Sequence, residues 1–171
     1  MATYIIAAVT GLLLLGADQY TKYFVASHYT LGQSHDFIPG LIELTYVRNT
    51  GAAWGMLRDR TWLLIGITAV VMLICLALVL KYGTRNKLLF WAMTLVLSGG
   101  LGNMADRIFR GGSVVDFLQF DFWHSFPVFN VADCAICIGA TLLVLYFILD
   151  LFREARNRSR KKNAPAENDE T

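Results

Sequence analysis

Four long runs of apolar residues, separated by polar segments, dominate the pattern of this 171-residue chain. Each run carries few or no charges and approaches the roughly 20 residues that a helix needs to cross about 30 Å of hydrocarbon. The runs cover about residues 4–25, 61–81, 88–107 and 126–150. The pattern therefore predicts an all-α integral membrane protein with four transmembrane helices.

The polar segment of about residues 28–60, between the first two spans, is the only sizeable extramembrane part in this prediction. In it, Ile42 to Val47 is typical of a strand, and Asn49-Thr50-Gly51 favours a turn. Trp54 and Trp62 flank a charged stretch, which suits the lipid headgroup layer. The segment is therefore either an interfacial anchor or a cover over a substrate groove.

Composition agrees with the membrane assignment. The chain is 56% hydrophobic and 16% charged, whereas soluble domains carry about 25% charged residues. We expect one membrane domain over residues 1–152, followed by a tail, residues 153–171, that is basic and then acidic and polar. The tail lacks apolar periodicity, so we expect it to be disordered, with its basic part drawn to anionic lipid.

Lysine and arginine residues indicate the orientation of the spans. The link between the second and third spans holds Lys81, Arg85 and Lys87, and the tail begins with a further basic cluster. With four spans, both termini and this link lie on one side, which the positive-inside rule makes cytoplasmic. The first span lacks the basic start of a secretory signal peptide and runs directly into Asp18, so we expect an uncleaved helix.

Most polar residues within the spans fall in one layer. At 1.5 Å per residue, Asp18 lies about 21 Å along an outward-running first helix, and Asn103 to Arg107 lie about 22 to 28 Å along the third. Asp133 lies about 10 Å inside a fourth helix that enters from the outer side near Phe126. These depths predict a polar site near the outer leaflet.

Asp116 and Asp133 lie in or beside apolar segments, and neither has an obvious basic neighbour in sequence. Gly111-Gly112 favours a turn, after which Val114-Val115 favours an extended run into Asp116. An ionisable side chain at membrane depth costs roughly 2.5 to 3.5 kcal/mol on insertion scales, so it is uncommon without a role. Two carboxyl groups that meet there would share a proton, as in aspartic proteases, and would titrate as a unit.

Several other polar residues have both a structural and a chemical interpretation. Asp18 and Lys22 are four apart with the acid first, which favours a salt bridge within the helix over direct chemistry. Asn103, Asp106 and Arg107 share a helix face that is either a structural tie or a substrate contact.

Two further features concern the third and fourth helices. Asn130 is expected on the same face of the fourth helix as Asp133. Gly99 belongs to a run of small residues, Ser98 to Gly102, that favours close helix packing in lipid.

Missing motifs reduce the range of chemistries. The chain has no His-Glu-x-x-His of a zinc peptidase and no Gly-x-Ser-x-Gly of a serine hydrolase. Cys134 and Cys137 form a C-x-x-C, but in an apolar helix their thiols should stay protonated and inert. The main alternative to an enzyme is a small proton-coupled carrier or channel subunit, which predicts polar groups spread across the bilayer. A catalytically inactive binding protein of the same fold is a second alternative.

Five segments, in order along the chain, resemble the signature blocks of the bacterial lipoprotein signal peptidases (signal peptidase II, aspartyl peptidase family A8). They are Asp18-Gln19-Tyr20-Thr21-Lys22, Asn49-Thr50-Gly51-Ala52-Ala53, Gly102-Asn103-Met104-Ala105-Asp106-Arg107, Val114-Val115-Asp116-Phe117 and Phe129-Asn130-Val131-Ala132-Asp133. The blocks cover nearly everything but the tail. One departure is a slightly longer link from Asp106 to Asp116, which leaves the backbone path there open.

The resemblance implies a four-helix membrane aspartyl endopeptidase with a small extracytoplasmic β element and a short, mobile interfacial helix. Such enzymes cleave the signal peptide from diacylglyceryl-modified prolipoproteins immediately before the lipidated cysteine. By motif position, Asp116 and Asp133 match the catalytic pair, with no metal or other cofactor. Positions that match substrate-binding or site-shaping residues are Asp18, Lys22, Asn49, Gly51, Gly99, Asn103, Asp106, Arg107, Asn130 and Ala132.

The resemblance also implies partners and a location. The substrate is a lipid-modified prolipoprotein, membrane lipids surround the enzyme, peptide antibiotics of the globomycin type inhibit it, and no nucleic acid is bound. We expect a monomer in the bacterial cytoplasmic (inner) membrane, multi-pass with both termini cytoplasmic and the active site near the outer leaflet.

Overall fold

The computed structural model describes residues 2–82 and 86–162. Its long helices are α1 (Ala2–His28), α2 (Thr61–Tyr82), α3 (Lys87–Phe109) and α4 (Val131–Lys162). All four contain stretches long and apolar enough to cross a membrane. Large apolar side chains such as Leu12, Val70 and Phe152 point outward from these helices, as expected of surfaces that contact lipid. The predicted architecture of four spanning helices is confirmed.

The start of the fourth helix differs from the prediction. α4 begins at Val131 rather than near residue 126, because Phe129 pairs with Leu118 as an extended bridge. Asn130 then accepts the backbone N–H of Asp133 at 3.0 Å, which caps the new helix. Asp133 therefore lies in the first turn of α4, and the predicted depth of about 10 Å from a helix start near residue 126 is wrong.

The end of the fourth helix also differs. α4 continues to Lys162, so residues 153–162 are helical where the sequence predicted disorder. Arg, Lys, Glu and Ala are good helix formers, and Glu154 and Arg158 form an i,i+4 pair with charged atoms 3.7 Å apart. The rest of the predicted tail, residues 163–171, and the link residues 83–85 lie outside the described residues.

Helix α3 packs against each of the other three long helices, and small residues make this possible. An added Cβ at Gly99 would clash with the carbonyl oxygen of Ala132, and one at Gly139 would lie 2.7 Å from the carbonyl oxygen of Ala92. An added Cβ at Gly102 would lie 2.5 Å from Asp18 Oδ2. The backbones of α3 and α4 thus approach closely at Gly99 and Gly139, and Gly102 leaves room for the Asp18 side chain of α1, in agreement with the close packing predicted from the run of small residues.

A three-stranded antiparallel sheet lies at one end of the bundle. Its strands are β1 (Ser34–Ile38), β2 (Ile42–Asn49) and β3 (Val114–Phe120), in the order β1-β2-β3. The predicted strand at Ile42 to Val47 is β2, and the predicted extended run into Asp116 is β3, where Asp116 pairs with Val47. The sheet joins the helices through a buried apolar cluster of Val25, Tyr46, Val115 and Phe117.

The segment after β2 contains less helix than the resemblance implied. A single three-residue 3-10 turn, Ala53–Gly55, follows the strand, and Trp54 in it has a left-handed φ of 54°. Leu57 and Asp59 also have positive φ, at 56° and 61°. Left-handed backbone interrupts a right-handed helix, so the short helix that the resemblance implies is limited to this 3-10 turn.

Candidate active site

Asp116 lies on the central part of β3, where it is 3% exposed. Each of its carboxylate oxygens accepts a hydrogen bond from an amide side chain. Asn130 Nδ2 donates to Asp116 Oδ1 at 2.6 Å, and Asn49 Nδ2 donates to Asp116 Oδ2 at 3.0 Å. The strand pairing of β2 with β3 brings Asn49 to this carboxylate, so the sheet positions both Asn49 and Asp116.

Asp133, in the first turn of α4, is bonded in a similar way. Asn103 Nδ2 donates to its Oδ1 at 2.7 Å, and the backbone N–H of Asn130 donates to its Oδ2 at 3.1 Å. Because the Asp133 N–H donates back to Asn130 Oδ1, Asn130 and Asp133 form a reciprocal capping box. Asn130 directly precedes the helix, so the predicted contact with Asp133 at a spacing of three is present, but it is made by a capping residue rather than within the helix.

The two carboxylates meet through Asn130, which bonds to both. The structure thus joins two aspartates from distant parts of the chain in one small polar site. Burial, together with the negative charge of Asp133, raises the pKa of Asp116 to about 7, while the amides of Asn49 and Asn130 oppose the shift. Such a pair can hold one proton near neutral pH.

A second cluster of buried charges lies beside this site, between α1 and α3. Lys22 Nζ lies 2.9 Å from Asp18 Oδ2 and 3.3 Å from Asp106 Oδ2, and Arg110 Nε lies 3.2 Å from Asp106 Oδ1. The predicted salt bridge of Asp18 with Lys22 is therefore present. Asp18, Lys22 and Asp106 are each at most 1% exposed, so this cluster belongs to the bundle interior.

The same acidic side chains hold the backbone of the neighbouring elements. Asp18 Oδ1 accepts the N–H of Ala132 at 2.9 Å, and Asp106 Oδ2 accepts the N–H of Val115 at 3.0 Å. Ala132 and Val115 directly precede the two aspartates of the site in sequence. The charged cluster thus fixes the start of α4 and the course of β3.

Arg107 connects α3 to the turn after β2. Its Nη2 donates to the carbonyl of Gly51 at 2.9 Å, and Nη1 lies 3.4 Å from the carbonyl of Asn103. Its Nε is buried and has no hydrogen-bond partner among the described residues. The N–H of Gly51 donates to Asn49 Oδ1 at 2.9 Å, which turns the Asn49 amide so that its nitrogen faces Asp116. Arg107 therefore makes the structural tie between α3 and this turn. Its Nε–H remains without a hydrogen-bond partner among the described residues.

An open cavity of about 520 Å³ lies between the sheet and the segment that leads into α4. Asp116 and Asn49 are among its polar lining residues, and Trp54 and Phe126 contribute aromatic surface, with their rings 5.8 Å apart. The buried charged residues and asparagines gather at this end of the bundle, whereas the apolar cluster around Phe90 and Met93 fills the other end, where the buried hydroxyls of Thr94 and Ser98 bond to carbonyls of their own helix. That distribution disagrees with a carrier, which would need polar groups across the full thickness.

Sequence reasoning missed two side chains of the charged cluster. Gln19 Nε2 lies 3.1 Å from Asp18 Oδ2, from Asp106 Oδ1 and from the carbonyl of Gly102. Arg110 was detectable, because it lies four residues after Asp106 on the same helix. Gln19 was detectable as a polar residue inside the predicted first span, next to Asp18 in the first signature block.

Two groups of side chains outside the site are of types that can bind a metal ion. Glu43, Asp121 and His124 have potential ligand atoms within 4.8 Å of one another. Asp121 Oδ2 already accepts the N–H of Gly40 at 2.8 Å, so a strand-to-loop contact accounts for this carboxylate. Cys134 and Cys137 are free thiols, as predicted, and the absence of a metal or cofactor stays a prediction.

Comparisons with known proteins point to one family. The sequence model of signal peptidase (SPase) II, peptidase family A8, matches residues 10–149. A lipoprotein signal peptidase of Brevibacillus brevis is 43% identical over 147 residues, which is 86% of this chain and 95% of the relative. One of Halalkalibacterium halodurans is 39% identical over 165 residues, which is 96% of this chain and 100% of the relative.

Solved structures agree with the sequence comparisons. One bacterial membrane enzyme is 29% identical and superposes with a TM-score of 0.79 over 95% of this chain and 94% of its own. A second is 31% identical, with a TM-score of 0.76 over 83% of this chain and 92% of its own. The chain belongs to the signal peptidase II family, whose members are membrane peptidases of the aspartic type.

Proposed function

We propose that this protein is a lipoprotein signal peptidase that cleaves the signal peptide from diacylglyceryl-modified prolipoproteins just before the lipidated cysteine. Family membership supports the reaction class. The observation that carries the proposal is the pair of carboxylates, Asp116 and Asp133, which both hydrogen-bond to Asn130, with Asp116 in the wall of an open cavity.

In the proposed mechanism the pair holds one proton. The ionised carboxylate takes a proton from a water between the two side chains, and the protonated one donates a hydrogen bond to the scissile carbonyl oxygen. The resulting hydroxide attacks the carbonyl carbon, and the C–N bond breaks as the leaving nitrogen takes a proton from the pair. No acyl-enzyme forms, so water is the only co-reactant.

The surroundings of the pair support this chemistry. Amide groups donate to all four carboxylate oxygens, from Asn49 and Asn130 to Asp116, and from Asn103 and the Asn130 backbone to Asp133. These neutral donors orient the carboxylates without supplying a fixed counter-charge. The pair can therefore gain and lose a proton within one catalytic cycle.

We also propose how the enzyme lies in the membrane. It is a multi-pass membrane protein. We place it in the bacterial cytoplasmic membrane, with both termini in the cytoplasm and the site near the outer leaflet. Support comes from Lys81 and Lys87 at the end of the bundle opposite the sheet, following the positive-inside rule. A site at this level would accept a substrate whose lipid and signal helix both remain in the bilayer.

Two smaller proposals complete the functional description. One chain supplies both aspartates, which supports activity as a monomer. The cavity beside Asp116, with Trp54 and Phe126 in its wall, is where we expect peptide antibiotics of the globomycin type to bind. Competition between such a peptide and the precursor in a cleavage assay would check this expectation.

The test is cleavage of matched precursors by the purified protein in detergent or liposomes. We expect cleavage of a diacylglyceryl-modified precursor, little cleavage of the unmodified one, and no effect of a chelator. Asp116→Asn and Asp133→Asn should each reduce cleavage by at least about 10³-fold, the order of loss when one member of a catalytic unit is removed.

Asp36→Asn is the matched control, since Asp36 lies exposed on β1 and the change is chemically identical. It should cleave like the wild type. Near-normal cleavage by folded Asp116→Asn or Asp133→Asn protein would contradict the assignment of the catalytic pair.

A further inference from the structure

Lys22 is the fully buried lysine of the charged cluster, with 0% of its surface exposed. Besides its ion pairs with Asp18 and Asp106, its Nζ donates a hydrogen bond to Asn103 Oδ1 at 3.0 Å. Asn103 in turn donates to Asp133, so a single amide lies between the lysine and the aspartate pair.

We infer that Lys22 is a positioning residue for the aspartate pair: acting through the Asn103 amide, it keeps an N–H donor on Asp133 and holds the pair in its working arrangement. This inference rests on the proposed function of the pair. It extends that proposal to a residue that does not touch the two carboxylates.

The orientation of the Asn103 amide follows from the chemistry of its two neighbours. An ammonium group can only donate, so the atom of Asn103 that faces Lys22 at 3.0 Å must be the oxygen. The other end of the amide is then the nitrogen, which faces Asp133 Oδ1 at 2.7 Å. Without the lysine, the amide could rotate and present its oxygen to the carboxylate, which would be repulsive.

The second amide depends on the same contact. Asn130 Nδ2 has two hydrogens and three acceptors within reach, Asp116 Oδ1 at 2.6 Å, Asn103 Oδ1 at 3.1 Å and the carbonyl of Val115 at 3.3 Å. Asn103 Oδ1 has two lone pairs and can accept from Lys22 and Asn130 at once, so Lys22 helps to hold in place an acceptor that Asn130 also contacts. The lysine therefore supports both aspartates, each through one asparagine.

Other donors already bind the acids that Lys22 contacts. Asp18 accepts from Gln19 and the Ala132 backbone, and Asp106 accepts from Gln19, Arg110 and the Val115 backbone. The ammonium group has three N–H donors, and Asp18, Asp106 and Asn103 supply one acceptor each. The contact with Asn103 is the one that connects the charged cluster to the aspartate pair, so the activity and the pH profile, rather than stability alone, test a positioning role.

The test compares Lys22→Gln with Lys22→Met. Both variants lose the positive charge, but only glutamine keeps an N–H donor that can reach Asn103. The readouts are kcat and KM for cleavage of a diacylglyceryl-modified precursor over about pH 5 to 9, together with thermal unfolding in detergent. Lys87→Gln and Lys87→Met are the controls, because Lys87 is exposed at the far end of α3.

We expect a lower kcat with little change in KM for both variants, and a further loss of about tenfold or more for methionine relative to glutamine. Loss of the positive charge disfavours the ionised carboxylates, so the acidic limb of the kcat profile should move to higher pH by about one unit. The Lys87 variants should follow the wild type in both respects.

The inference is overturned if Lys22→Met has the wild-type pH profile and loses activity only in proportion to its folded fraction. If that variant does not fold, the charge-balanced Lys22→Met/Asp106→Asn protein is measured in the same way, with the same criterion. Wild-type protein and Asp133→Asn are included in every series. If neither of these two proteins cleaves the precursor, the proposed function itself is overturned. If the wild type cleaves it, Asp133→Asn does not, and the pH profiles of the Lys22 variants are unshifted, only the positioning role is overturned.

Discussion

Two pairs of buried aspartates lie side by side at the sheet end of the bundle, and they differ in what neutralises them. Asp18 and Asp106 contact the cationic groups of Lys22 and Arg110 at 2.9 to 3.3 Å. Asp116 and Asp133 are hydrogen-bonded by the neutral amides of asparagines and a backbone N–H.

This difference suits the two pairs to two roles, one in holding the fold together and the other in proton transfer. A carboxylate in a close ion pair is held ionised, because protonation would leave its cation buried without a partner. A carboxylate held by amides has donors but no directly bonded cation, so burial and its acidic neighbour can retain a proton on it. The first pair can therefore fix helices and strands, while the second pair can exchange protons with a substrate.

The largest expected effect is on the free energy of unfolding when a cation-paired acid is changed. Asp106→Asn removes a charge that lies 3.3 Å from Lys22 and 3.2 Å from Arg110, so it should destabilise the fold by about 3–5 kcal/mol. Asp116→Asn removes no such pair and should cost no more than about 1–3 kcal/mol, for one mismatched amide contact. Denaturant titration or thermal unfolding in detergent measures both. Equal destabilisation by the two changes would refute the distinction between the pairs.

A second test changes the spacing between the helices that carry the two pairs. Gly99→Ala places a methyl group against the carbonyl of Ala132, beside both the Asp18 contact and Asp133. We expect destabilisation by about 1–3 kcal/mol, as for overpacking, and lower cleavage by the folded protein because the start of α4 must move. Gly16→Ala is the matched control, since nothing lies within 4 Å of an added Cβ there. Gly99→Ala with wild-type stability and cleavage would exclude this tight contact as a determinant of the site.

A third test measures how stability and cleavage depend on pH, where the expected effect is smaller than in the first two tests. Asp116 has a pKa of about 7 in the fold and an ordinary value of 3.8, so the folded chain binds a proton that the unfolded chain releases between these values. Stability should therefore fall as pH rises from about 4 to about 7, and Asp116→Asn should lack this component. Cleavage should decline above about pH 7, as the pair loses its shared proton. Parallel stability curves for wild type and variant would contradict the raised pKa.

Much of this arrangement was predictable from the sequence, because its signals are local. Apolar run length gives the four helices, and the spacing of Asp18 and Lys22 gives their salt bridge. The family blocks also contain residues that the structure brings together at the candidate site, among them Asn49, Asp116 and Asp133. They do so without giving a geometric reason for most of them.

What sequence could not supply is the pairing between distant segments. Asn49 reaches Asp116 only because β2 pairs with β3, and a register cannot be derived from one strand pattern. The start of α4 was misplaced because apolar residues before Asn130 continue the hydrophobic run, whereas the cap and the bridge at Phe129 end it. Helix boundaries depend on such tertiary contacts more than on composition.

The smallest expected effect concerns the thiols next to the proposed catalytic pair. Cys134 directly follows Asp133, and Cys137 lies one turn further along α4, where it is exposed on the helix surface. A mechanism that runs through two carboxyl groups and water gives neither thiol a role, so Cys134→Ala and Cys137→Ala should cleave at rates within about twofold of the wild type. Steady-state cleavage with and without chelator measures this. A large loss of cleavage activity in either variant would show that the reaction does not depend on the amide-held carboxylates alone. It would then support a redox or metal-binding role for the C-x-x-C.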